Sequence, residues 1–173
     1  MIKALAAAKI NLYLDVIRRR EDGYHDIETL YQPVSLFDEL TFEIASRGVS
    51  VEGDDPAVPW NEENLCHRAA RLVLDSRSAS AGVRITCRKR IPAGAGLGGG
   101  STDAAATLLG VNRLLDAGLG REELLELGSR LGSDVPFFMN GKPAIGRGRG
   151  EILENVEGIP GGWILIVKPH LSI

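Results

Sequence analysis

The 173-residue chain has only two cysteines, Cys66 and Cys87. They form no Cys-x-x-Cys pair, and His67 beside Cys66 is too little for a zinc site. Two buried free thiols are expected, as in a cytoplasmic protein kept reduced. A surplus of positive charge is also missing. The formal net charge is -3, so nothing pulls the chain as a whole toward nucleic acid or an anionic membrane. Long apolar runs are absent too. Lys9, Asn11 and Asp15 interrupt the N-terminal stretch, and the later run Trp163 to Val167 is only of strand length. Neither reads as a signal peptide or a membrane span. There is no internal repeat and no low-complexity tract.

What remains is an ordinary globular composition, 44% hydrophobic and 25% charged, of a size for one domain with a real core. Ile2, Ala4 and Ala6 alternate, then Ile10, Leu12, Leu14 and Val16, which reads as β-strand. Asp22-Gly23 signals a turn. LTFEIAS and GVSVEG read as two short strands, and DDPAVPW as a loop. Asn61 or Asn64 can cap a helix that carries Leu65, Ala69, Leu72 and Val73 on one face. In Val83 to Lys89 strict alternation predicts a half-solvated antiparallel strand. Ala104, Leu108, Val111 and Leu115 fall at helical spacing, and a further helix over about 121–131 buries Leu124, Leu127 and Leu131. GSDVPFF reads as a short turn, GRGRGE as a loop or hairpin, and WILIVKP as a last strand. The class is α+β.

The stretch PAGAGLGGGSTDAA, from Pro92 to Ala105, stands out. Five of the seven residues from Gly94 to Gly100 are glycine. A helix cap needs one. Gly94, Gly96 and Gly99 fit a dinucleotide-binding G-x-G-x-x-G, with Asp116 at a suitable distance. However, the preceding strand alternates Arg84, Thr86 and Arg88 instead of running apolar, and Pro92 intervenes. A Walker loop would end in Gly-Lys-Ser/Thr, and this one ends in Gly-Gly-Gly-Ser. A third reading fits the order strand, loop, helix. Bare glycine amides and the unpaired N–H groups of the first helical turn, opened by Ser101, Thr102 and Asp103, would cradle a phosphate. The hydroxyls of Ser101 and Thr102 add donors, or a ligand for magnesium.

This loop resembles the phosphate-binding motif of the GHMP kinases, the family of galactokinase, homoserine kinase and mevalonate kinase. Further resemblances span the chain: Lys9 to Leu12, the segment Arg20 to His25, Leu36 to Asp38, GSDVPFF and GRGRGEIL. Together they point to the branch that phosphorylates the 2-hydroxyl of 4-diphosphocytidyl-2-C-methyl-D-erythritol in non-mevalonate isoprenoid biosynthesis. The implied fold is ribosomal-protein-like, a twisted mixed sheet backed by helices. The implied activity is that of an ATP-dependent small-molecule kinase, with Mg2+ as cofactor.

The resemblance also assigns roles. Asp134 matches the catalytic aspartate and Lys9 the lysine paired with it. Pro92, Ala93, Gly94, Ala95, Gly96, Leu97, Gly98, Gly99, Gly100, Ser101 and Thr102 would bind ATP phosphates, and Asn64 and Leu65 would approach the adenine. Asn11, Tyr24, His25 and Tyr31 would hold the substrate, with Tyr24 and His25 on the cytosine and Tyr31 as an aromatic wall. No residue is assigned as a metal ligand. The chemistry agrees, because phosphoryl transfer asks for charge neutralisation and an in-line hydroxyl. A valine at Gly98 is expected to weaken ATP binding and leave stability unchanged.

Residues 1–173 read as the N-terminal ATP-binding domain of such a kinase, with a second α+β domain expected after 173. The surfaces that would meet that domain favour self-association. The expected partner is a small molecule, cytidine diphosphate methylerythritol, with no nucleic acid and no membrane. Two alternatives stay open. One is another GHMP kinase, against which Asp22 to His25 argue. The other is a nucleic-acid-binding module of the same fold, supported by Arg84, Arg88 and Arg90.

Overall fold

An Asp-Gly turn, with Gly23 at φ 84°, folds the first 45 residues into a long antiparallel hairpin of β1 (Ile2–Arg19) and β2 (His25–Ala45). The computed structural model describes residues 1–77, 81–157 and 161–169. β2 is the axis of the sheet. On one side it pairs with β1. On the other it pairs with β4 (Gly82–Arg88) through residues 39–45 and with β5 (Ala144–Arg147) through residues 29–31. β3 (Val49–Gly53) runs parallel to β4, and β6 (Ile152–Asn155) antiparallel to β5. The mixed sheet and the helices packed on it confirm the α+β expectation.

The two side-chain periods build the core. Val83, Ile85 and Cys87 are buried, while Arg84, Thr86 and Arg88 face solvent. Against the inner row pack α1 (Leu65–Ser76), α2 (Gly99–Leu114), α3 (Arg121–Leu131) and α4 (Val135–Asn140). Asn64 is the cap of α1, its side chain accepting from the Cys66 N–H at 2.8 Å. Gly110 lets α2 lie flat on the sheet, because a β-carbon there would strike the Phe42 ring. Both cysteines are free and buried. Burial pushes the Cys66 thiol up to about 12, and raises that of Cys87 as well.

Four expectations need correction. GSDVPFF is not only a turn, because Val135 starts α4 with Pro136 in its first turn, where a missing N–H costs nothing. LTFEIAS is not a separate short strand but the end of β2. Ser101, Thr102 and Asp103 do not open α2, whose cap is Gly98 in the left-handed region. WILIVKP is not a strand. Residues 161–169 have no regular structure, and Trp163, Leu165 and Val167 are exposed, with no neighbouring strand among the described residues. Only Ile166 packs inward, on the cluster of Ala8, Ile91 and Leu97. The four residues that follow, 170–173, lie outside the described residues.

Beyond residue 11 the β1 strand leaves the core. Leu12, Leu14 and Val16 are each about half exposed, as are Tyr13 and Ile17 on the opposite face. Among the described residues, the outer edge of β1 pairs with no strand.

Candidate active site

The glycine loop hangs between β4 and α2 and walls a cleft of about 420 Å³. Asn64, Leu65 and every residue from Pro92 to Ser101 line it. Gly94, Gly96 and Gly98 have φ of 64°, 70° and 74°, a region open to glycine at little cost. Thr102 is not part of this cleft. It is buried in the first turn of α2 and lines a separate depression against β1 and α4. Asn64 borders the cleft, but its side-chain amide is spent on structure, capping α1 and donating to the Pro59 carbonyl at 2.8 Å.

Behind the loop stands a charged pair. The Lys9 backbone N–H donates to the Leu97 carbonyl at 3.0 Å, which ties β1 to the loop. The Lys9 ammonium donates to Asn11 Oδ1 at 2.8 Å and lies 3.9 Å from Asp134 Oδ2. Burial lowers the Lys9 pKa, and Asp134 opposes that shift. Asn11 is itself steered, donating to Thr29 Oγ1 at 2.6 Å, while Thr29 donates to the Tyr13 carbonyl at 2.7 Å. Asp134 occupies the N-cap position of α4 without capping it. Its carboxylate is left for Lys9 and for the Tyr31 hydroxyl, which donates to Oδ1 at 3.3 Å.

Tyr31 is therefore no open wall. It is 2% exposed, stacked on Phe137 and close to Lys9. Burial, then the Asp134 charge, raises its pKa, so it stays a donor. Tyr24 and His25 stand exposed at the turn of the hairpin. No hydrogen bond or ion pair joins them to Lys9, Asn11 or Asp134 among the described residues. Gly98 departs from expectation as well. A β-carbon there would strike the Phe138 ring and come within 3.3 Å of Lys9 Cγ. A valine would disturb the fold and the pair together.

A second buried cluster joins residues that the sequence offered no reason to bring together, although Asp38 and Asp103 lie in stretches already singled out. Lys89, 6% exposed at its side chain, reaches Asp38 and Asp103 at 2.5 Å each. Asp38 also accepts from the Arg90 and Ile91 N–H groups at 2.5 and 2.8 Å, which fixes the entry to the loop. Asp103 Oδ1 is buried without a partner. Two carboxylates share one ammonium, and Asp103 is the surplus one. Its burial pushes its pKa up to about 7 against the pull of Lys89. Burial opposes the Lys89 charge, but the carboxylates prevail and raise its pKa.

Residues 64–142, which hold the loop, most of the cleft lining and Asp134, match the family described as GHMP kinases N terminal domain. The match takes in 79 of the 173 residues. Around this segment the likeness extends to the whole chain. It is 44% identical over 173 residues to a 4-diphosphocytidyl-2-C-methyl-D-erythritol kinase of Syntrophus aciditrophicus, covering 100% of this chain and 62% of the relative. To that of Moorella thermoacetica it is 49% identical over 168 residues, covering 97% and 59%. The chain thus spans about three fifths of the curated relatives it matches. A crystal structure of 4-(cytidine 5'-diphospho)-2C-methyl-D-erythritol kinase, 48% identical, superposes with a TM-score of 0.80 over 90% of this chain and 55% of that one. The mevalonate kinase of Methanococcus jannaschii, 15% identical, shares the fold with a TM-score of 0.69 over 91% and 56%.

Proposed function

We propose that this chain transfers the terminal phosphoryl group of ATP to the 2-hydroxyl of 4-diphosphocytidyl-2-C-methyl-D-erythritol, acting with the further length that its relatives carry. The observation behind this is the Lys9–Asp134 pair, 3.9 Å apart and tied through Leu97 to a glycine loop that borders a nucleotide-sized cleft. The glycine amides cradle the triphosphate, and Asn64 and Leu65 border the adenine. Asp134 accepts the proton of the attacking hydroxyl. Lys9, beside that carboxylate, balances charge at the transferring phosphoryl. Tyr24 stacks on the cytosine, His25 hydrogen-bonds its edge, and Asn11 orients the alcohol.

A bound Mg2+ would neutralise phosphate charge. Magnesium keeps most of its waters and takes few protein ligands. The Ser101 hydroxyl, on the wall of the cleft, fits that limited demand. Among the described residues no group of three or more His, Cys, Asp or Glu side chains gathers for a metal, and no helix is long and apolar enough to cross a membrane. The exposed apolar side chains of the hairpin support self-association.

Thermal melting with separate ligands tests the reading. A non-hydrolysable ATP analogue and a cytidine diphosphate should each raise the melting temperature by linkage, and an oligonucleotide should not. Stabilisation by the oligonucleotide alone would overturn the kinase assignment in favour of a nucleic-acid module.

A further inference from the structure

The turn between β5 and β6 is not used in the scheme above. Arg149 sits between Gly148 and Gly150, at φ 70° and 105°. The Ile27 N–H donates to the Gly148 carbonyl at 2.7 Å, and the Arg149 N–H to the Glu151 carboxylate at 2.6 Å. A β-carbon on Gly150 would strike the Tyr31 hydroxyl, so the turn lies against the phenol that reaches Asp134. From this anchored backbone the Arg149 side chain runs over Tyr24, with its guanidinium carbon 4.9 Å from the ring centre. One turn touches Tyr24 at one end and the neighbour of Asp134 at the other.

Stacking uses the flat face of a guanidinium and leaves its in-plane N–H donors free. Three other arginines of this region are paired with carboxylates. Arg18 binds Asp26 at 2.6 Å, Arg20 binds Asp22 and Asp26, and Arg147 binds Glu28 and Glu154. The Arg149 guanidinium donates to no carboxylate among the described residues. Asp22, Asp26 and Glu28 are paired with those three arginines, which leaves Asp134 and Glu151 as the acidic field, and Lys9 is already engaged by Asn11 and Asp134. A nucleoside diphosphate laid from Tyr24 toward Asp134 brings two charged phosphates into this field and needs a cation midway.

We propose that Arg149 binds the diphosphate of the cytidine substrate and, by covering one face of Tyr24, leaves the other face for the base. Two adjacent phosphates suit the fork of parallel donors that guanidinium presents. The proposal rests on the reading of Tyr24 as the base platform, so its test separates the two.

Calorimetric titrations with cytidine and with cytidine 5'-diphosphate, on the wild type, Arg149→Ala, Arg149→Lys and Tyr24→Ala, supply the test. Arg149→Ala should weaken the diphosphate by roughly 10- to 100-fold, the scale of a lost charged hydrogen-bond pair, and change cytidine by less than about threefold. Arg149→Lys should recover part of the loss. Added salt should weaken the diphosphate more than cytidine in the wild type, and this difference should shrink in Arg149→Ala. Tyr24→Ala should weaken both ligands. If Arg149→Ala binds the diphosphate like the wild type, or loses both ligands equally, the diphosphate role is wrong while the base platform stands. If the wild type binds neither ligand, or Tyr24→Ala binds both normally, the platform reading falls and takes the proposal with it. Arg149 lies on a surface turn, and melting curves verify that each variant is folded.

Discussion

The buried phenol of Tyr31 donates to Asp134 Oδ1 at 3.3 Å, on the carboxylate whose other oxygen faces Lys9. Its raised pKa keeps it protonated through neutral and mildly alkaline pH. Tyr31→Phe keeps the stack on Phe137 and removes the one bond. Its removal is worth about 1 kcal/mol, so turnover should fall roughly fivefold. Michaelis constants for both nucleotides should hardly change, because neither base nor triphosphate meets the hydroxyl. Steady-state kinetics on a chain of the relatives' full length gives the answer, and an unchanged turnover would remove Tyr31 from the catalytic machinery.

Asp134→Asn keeps the shape and loses the proton acceptor. Turnover should drop at least ~10²-fold, the usual scale for general acid–base help. Binding of an ATP analogue and of cytidine diphosphate should persist. Near-normal turnover in this variant would place the base elsewhere.

Glycines in the loop should divide by stability. At Gly96 a β-carbon meets nothing within 4 Å, and only the positive φ resists. Gly96→Ala should cost about 1 kcal/mol. Gly98→Ala adds a collision with Phe138 and should cost roughly 2–4 kcal/mol. Phe138→Leu in the same chain should return part of that. Denaturant unfolding measures each value, and equal losses at the two glycines would contradict the crowding at Phe138.

Asp103 should leave a mark on stability against pH. Its folded-state pKa, about 7, lies above the ordinary 3.8 of an aspartate. A raised carboxyl contributes stability that is complete below the unfolded pKa and is lost as pH rises through the folded one. The window is therefore about pH 4 to 7. Asp103→Asn cannot lose that proton. Its melting temperature relative to the wild type should rise as pH goes from 5 to 8. A constant difference across that range would show that Asp103 does not titrate there.

Much of this was legible in the residues, for physical reasons. The alternation of Val83, Ile85 and Cys87 and the leucine spacing of α3 are local signals that kept their meaning in the fold, and the glycine density marks the loop of positive φ that walls the cleft. The family motifs brought Lys9 and Asp134 into one hypothesis before the structure put them 3.9 Å apart. The failures involve distant partners. Nothing local shows that Asp38 and Asp103, 65 positions apart, share Lys89. Tyr31 reads as an aromatic wall until Phe137 and Asp134, more than a hundred residues later, close over it. WILIVKP has the composition of a strand, but a strand needs a neighbour as much as a propensity.

The strand connections also set an order of assembly. β1 and β2 need only residues 20–24 to meet, so their pairing can zip within microseconds. β3 and β4 are parallel neighbours, and residues 54–81, with α1 among them, must first loop back over the sheet. That closure spends chain entropy before any contact repays it. The crossover therefore follows the hairpin, and the pairing of β2 with β5, which joins residues 29–31 to 144–146, closes a longer loop still. Ile85→Val, placed where β3 and β4 join, should slow the folding limb of a stopped-flow chevron, whereas an effect on unfolding alone would put the β3–β4 contact after the barrier.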